Sequence, residues 1–435
     1  MAEVNVELGT VDIDHTVQLL LDYEERVHNR SKHHPQSIFM VPSIYRDISP
    51  SSYTPRVVSV GPLHHQDEHL KGFEVYKATY MHELLHSLHS TPEETLKACV
   101  TKITNSIDQI KACYIGMKTY PDSELVEMMV MDACFILAFL NYQGVSDSSM
   151  GLNSLLYPHI FYDMVLIENQ IPFFVLQDIF NSTLLKLYPT LSLSYYIFKV
   201  QKHCKVFEED LEMNSSNISS THDHILGFLH KSYQHPDSNS SKPFSMDKAY
   251  SVTELDRSGV RFSYTLNAKW PMAIELEFSR FLCIPLSWRK PTLKMPVLYL
   301  HAYTELILRN LLIYEHSSQV KTCVSSYLIA LDLLINTPED VAKLASSQVL
   351  VNTLGSEEKA VNLISSIHKD VPVADFFYHE QWKLLDKYYN GYWPNILAEL
   401  RRSNFSNPWS IIALLAGIAL FILTVVQTIY GVKAA

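Results

Sequence analysis

The chain has 435 residues, 19% charged and 47% hydrophobic, and a formal net charge of -11. That length exceeds one typical core and that composition excludes a disordered or fibrous protein. The acidic balance, with no Lys/Arg-rich run, excludes a nucleic-acid surface.

Taken in chain order, MAEVNVELGTVDIDHT lacks the basic and apolar regions of a secretory signal, so synthesis is expected to begin in the cytosol. Thr16 to His28 reads as a short amphipathic helix followed by polar HNRSKHHPQ, and residues 1–36 form an N-terminal polar segment. A body is expected over 37–402. It opens on an extended stretch punctuated by Pro42, Pro50, Pro55 and Pro62, which no long helix tolerates.

Phe73 to His89 returns to helical spacing and contains HELLH, a pattern that can place two imidazoles and a general base around zinc. On a helical wheel, however, Phe73, Tyr76, Tyr80, Leu84 and Leu88 form the apolar stripe, and His82, His86 and His89 fall on the opposite, solvent side. A hydrolytic zinc needs a walled cleft and a third ligand, so these are read as surface histidines, as is the HHQDEH run from His64 to His69. No metal or cofactor is expected.

Thr91-Pro92-Glu93-Glu94 is a helix-opening cap. Glu124 to Leu140 and Tyr162 to Phe180 are apolar on nearly all sides, hence central helices. Ser-rich loops near 212–222 and 234–247 offer the best internal boundary. Val260 to Thr265, Ala273 to Phe278 and Phe281 to Leu286 suggest a small antiparallel β element. Helical signals then resume, with a Thr337-Pro338-Glu339-Asp340 cap. The fold class expected is mainly α, a multi-helix body with a small antiparallel element and one C-terminal transmembrane helix. Cys99, Cys113, Cys134, Cys204, Cys283 and Cys323 show no CxxC pairing and read as buried thiols.

Residues 403–435 are expected to anchor the chain. Ser410 to Tyr430 would reach about 30 Å as a helix, the thickness of a hydrocarbon core. Trp409 and Tyr430 fall where interfacial aromatics sit, Phe421 lies within the span, and Ala413 with Gly417 is a small-xxx-small pair that would allow a homodimer. Arg401 and Arg402 before the span, against Lys433 after it, favour a cytosolic body on a plasma or internal membrane, with lipid as one partner. The N-x-S/T triplets at Asn29, Asn181, Asn214, Asn217, Asn239 and Asn404 would be glycan acceptors only if the body were lumenal.

Asp132, Glu168 and Arg309 lie within apolar helices, where an unpaired charge is costly. They are read as structural buried charges, with Arg309 meeting Asp132 or Glu168. Catalytic residues are not assigned.

FMVPSIYRDISPSSYTPRVVSVGPLHH, ELVEMMVMDACFILAFL, DMVLIENQIPFFVLQDIF, SVTELDRSGVRF, ELILRNLLIYE, DLLINTPEDV, VNTLGSEEKAV and FSNPWSIIALLAGIALFILTVVQTIY occur in this order. From about Ser37 to Tyr430 the chain resembles the plant family called domain of unknown function 247. HELLH is not among the family's motifs. The resemblance implies a mostly helical single-pass membrane protein without established enzyme activity, some relatives being tied to reproductive recognition, including self-incompatibility in grasses. The expected function is therefore non-enzymatic recognition of an unknown protein partner. The alternative is a membrane-tethered hydrolase with a His/Asp/Glu site.

Overall fold

A computed structural model describes residues 13–18, 20–22, 36–142, 154–208, 222–235, 242–243, 249–265, 270–278, 290–318, 320–367, 375–391 and 408–434. The described chain is mainly helical, with short strands in small sheets. The chain divides into two compact units. The first holds Met1–Cys204, Met213–Lys231 and His316–Val320, and the second holds Lys205–Glu212, Ser232–Glu315 and Lys321–Ala435. The chain first passes from one to the other after Cys204.

In the first unit, strand β1 (Ile38–Phe39) pairs in parallel with β2 (Tyr114–Ile115). The helices include α1 (Glu74–His86), α2 (Pro92–Asn105), α3 (Asp122–Asn141), α4 (Tyr157–Asp163), α5 (Phe173–Ser182), α6 (Leu193–His203) and α7 (Ile225–Ser232). Helix α3 is the axis. Acidic Asp122 and Glu124 occupy its first turn, favouring the positive end of the helix dipole, and no Gly or Pro interrupts it. It is buried from Ala133 to Leu140 without a break, and α1, α2, α5 and α6 pack against it. An aromatic ladder joins α1, α3 and α4: Tyr80 meets Phe135 at 5.5 Å, Phe135 meets Phe139 at 5.8 Å, and Phe139 meets Phe161 at 5.1 Å. The first pair is edge-on, a geometry aromatic rings prefer, and the other two are tilted.

In the second unit, α8 (Val252–Ser258) opens on a capping box between Ser251 and Glu254 and ends at Gly259, whose φ of 101° suits glycine. Strands β3 (Arg261–Tyr264), β4 (Glu275–Phe278) and β5 (Pro291–Met295) form one sheet with β5 in the middle. The sheet is mixed: β3 runs parallel to β5, and β4 antiparallel. This corrects the purely antiparallel element; short apolar strands record burial but not direction, which the connection sets. The expected strand from Phe281 to Leu286 lies outside the described residues.

Strand β6 (Leu298–Leu300) pairs in parallel with β7 (Leu350–Asn352). Between them come α9 (Thr304–Ser317), α10 (Cys323–Leu334) and α11 (Pro338–Ser346), and after them α12 (Glu357–Ile367) and α13 (His379–Tyr389). Asp340 does more than close the Thr337 capping box. Its carboxylate accepts the Asn336, Thr337 and Thr253 backbone N–H groups, tying α11 to α8. Burial opposes its charged form, yet these hydrogen bonds outweigh it and hold its pKa below the ordinary value. Asp340→Ala is expected to lower stability by about 2 kcal/mol, from N–H groups left without acceptors, as read by urea titration.

The last helix, α14 (Pro408–Ala434), forms over the predicted anchor. Among the described residues, however, no helix is long and apolar enough to cross a membrane, which corrects the C-terminal transmembrane helix. Ala413, Gly417 and Phe421 are exposed, and no atom lies within 4 Å of where a Gly417 Cβ would stand. The side chains of Trp409 and Tyr430 lie outside the described residues.

The free thiols Cys99, Cys113, Cys134, Cys204 and Cys323 are buried, and Cys283 lies outside the described residues.

Candidate functional site

The Pro-rich stretch 36–65 cannot satisfy its own backbone as a helix or a wide sheet would. It is instead held by polar side chains reaching out of the helical core, and these bring most of the first unit's buried charges together.

Glu168 is the hub. One carboxylate oxygen accepts the Val41 N–H at 2.6 Å and the Arg46 guanidinium; the other accepts from His64 Nε2 at 2.9 Å. His64 Nδ1 contacts Asp67 at 2.7 Å. Each nitrogen of the ring faces a carboxylate, an arrangement that favours the doubly protonated form of His64. Burial disfavours that charge, but the hydrogen bonds and charges of Glu168 and Asp67 outweigh it and raise the pKa.

Asp163 closes the next section, accepting the backbone N–H groups of Arg56, Val57 and Val58 at 2.7–3.2 Å. Burial pushes its pKa up to about 6 even though these bonds favour the carboxylate. Asn169 follows: its oxygen accepts the Val60 N–H and its amide donates to the Val58 and Asp163 carbonyls. Asp132 then accepts the Gly61 N–H at 2.7 Å and the Lys77 ammonium at 2.6 Å. Lys77 is fully buried, and although burial opposes its charge, Asp132 and Glu74 raise its pKa above the ordinary value.

Gly61 is required at its position. Its φ is 77°, and an added Cβ would stand 2.4 Å from the Gln170 carbonyl oxygen. Gly61→Ala is expected to cost at least about 2 kcal/mol, seen as a fall in the thermal midpoint.

The pH dependence has a definite sign. His64 and Asp163 both have folded pKa values above their unfolded ones, so each contributes stability below its unfolded pKa and loses it as pH rises through the folded value. For Asp163 that window runs from 3.8 to about 6; for His64 it begins at 6.5. Below pH 6.5 buried His224, its pKa lowered to about 4, opposes Asp163, so the urea midpoint is expected to fall above pH 6.5, where His64 loses its proton.

All three charges predicted from the sequence are buried: Asp132, Glu168 and Arg309 are 1%, 0% and 2% exposed. The predicted pairing of Arg309 with Asp132 or Glu168 is not among the described contacts. Asp132 takes Lys77, and Glu168 takes Arg46 and His64. Arg309 pairs with Glu305 at 2.8 Å and donates to the Ser366 and Ile367 carbonyls, where it neutralises the negative end of α12.

His64, read as a surface residue, is 4% exposed. The signal that could have found these partners is faint. Lys77 falls on the apolar stripe of Phe73, Tyr80 and Leu84, where a charge demands a buried mate. His82, His86 and His89 are exposed, as the wheel places them. No group of three or more His, Cys, Asp or Glu among the described residues is arranged to hold a metal ion.

Chemically, the cluster is committed to the backbone. Its carboxylates accept from main-chain N–H groups or cationic side chains, and its histidine is held between two carboxylates, so it is a mooring for the stretch 36–65.

The profile of a family described as "Plant protein of unknown function", DUF247, matches residues 38–423. The chain belongs to the DUF247 family. The match begins at β1, the start of the moored stretch, so the clamp lies within the family domain. UPF0481 protein At3g47200 of Arabidopsis thaliana is 25% identical over 418 residues, covering 90% of this chain and 85% of that protein. Putative UPF0481 protein At3g02645, also of Arabidopsis thaliana, is 24% identical over 505 residues, covering 94% and 93%. No solved structure matches this DUF247 chain.

Proposed function

We propose that this DUF247 protein is a non-enzymatic recognition component that acts by binding another protein through exposed faces of its units. One observation carries the reading: buried His64, Lys77, Asp132, Asp163 and Glu168 are each bonded to backbone or to one another, which leaves them organising the fold instead of facing a substrate. Exposed apolar side chains such as Ile44, Val75 and Leu155 supply contact surface outside that core. Self-incompatibility, the role some relatives hold, is the setting in which to seek a partner first.

The test pairs proximity labelling in plant tissue with reconstitution. A labelled protein, once purified, should bind the purified full chain saturably, and Val75→Asp or Ile44→Asp should weaken it. Turnover of an ester, peptide, phosphoester or glycoside that disappears in Glu168→Gln would overturn the reading.

A further inference from the structure

We propose that His82 and His86 form a surface chelate for a divalent transition-metal ion of the Cu(II), Ni(II) or Zn(II) class, one that takes no part in hydrolysis. Both lie on α1, one helical turn apart, and both are exposed. Their rings are already together, with centroids 3.9 Å apart and planes inclined by 36°. Side chains four residues apart share one helix face, so rotation of the two exposed rings, with the backbone unmoved, brings one nitrogen of each to a common ion at about 2 Å.

The tautomer is also set. His86 Nδ1 lies 2.9 Å from the His82 carbonyl oxygen, which can only accept, so Nδ1 carries the proton and the neutral ring presents its lone pair at Nε2. A carbonyl fixing one ring nitrogen while the other binds metal is the usual support for a histidine ligand. The helix beneath is rigid, with Leu84 and Leu85 buried on its opposite face.

With two protein ligands, water completes the coordination. Such a site favours copper over nickel and zinc by the general order of divalent affinities. It lacks the enclosed cleft and third ligand of a hydrolytic centre, which is why the HELLH letters yield binding without catalysis. Glu83, between the two histidines in sequence, is likewise exposed.

The experiment titrates the full chain with Cu(II), and separately Zn(II), at neutral pH, reading stoichiometry by calorimetry and nitrogen ligation by electron paramagnetic resonance. The wild-type chain should show a two-nitrogen copper site. His82→Gln and His86→Gln should each weaken that site about tenfold or more, and the double variant should lose one equivalent. His89→Gln should leave it intact. The exposed positions let all variants fold, which an unchanged circular dichroism spectrum verifies. Unaltered affinity and stoichiometry in the double variant, or no copper binding by the wild type, would overturn the proposal.

Discussion

Glu168→Ala is expected to lower the stability of the folded chain by about 3–5 kcal/mol, the range for removing one member of a buried charge network. Three groups lose their acceptor at once: the Val41 N–H, the Arg46 guanidinium and His64 Nε2. Val41 is buried, so its amide cannot turn to water, and His64 is left as a buried cation with Asp67 alone. Glu168→Gln should lie between wild type and alanine, because the amide oxygen still accepts while the amide nitrogen opposes a protonated ring. Urea titration followed by circular dichroism measures both. A loss under about 1 kcal/mol for the alanine variant would mean that Glu168 does not bear on the moored stretch.

Lys77→Met carries the second large effect, again about 3–5 kcal/mol, because Asp132 would remain buried as an unpaired carboxylate. The informative comparison is Lys77→Met with Asp132→Asn. The asparagine oxygen can still accept the Gly61 N–H, and methionine fills the lysine volume without a charge. The double variant should therefore recover at least half of what Lys77→Met loses, giving a coupling of about 1–3 kcal/mol. Simple additivity of the two single effects would contradict an ion pair between these residues.

These two sites also show where the sequence is legible. The wheel of α1 separates Leu84 from His82 and His86 correctly, because burial follows helical period and the period is written in the residues. Asp132, Glu168 and Arg309 stand out as charges in apolar runs, although Glu168 lies in the non-helical link 164–172 that interrupts the helix predicted over Tyr162 to Phe180. Their partners do not. Arg46 and His64 sit in a stretch without periodicity, and each is more than 100 positions from Glu168, so no local pattern links them. Asp163 and Asn169 are opaque for a related reason: their partners are backbone amides, which every residue type carries.

Strand direction in the second unit is set by chain connection and not by side chains. At the C-terminus the apolar run predicts a membrane span, whereas among the described residues no helix is long and apolar enough to cross one. Whether it is long enough to cross is a property of the structure.

The central claim is that buried side chains of the first unit hold the stretch 36–65 by its main chain, in place of forming a reactive centre. Native-state hydrogen exchange of the Val41, Val57, Val58, Val60 and Gly61 amides tests it most directly, since each donates to one of these side chains. The account predicts that they exchange as slowly as the amides of α3, and that Glu168→Gln speeds Val41 selectively. Exchange at the rate of an exposed loop in the wild-type protein would contradict it.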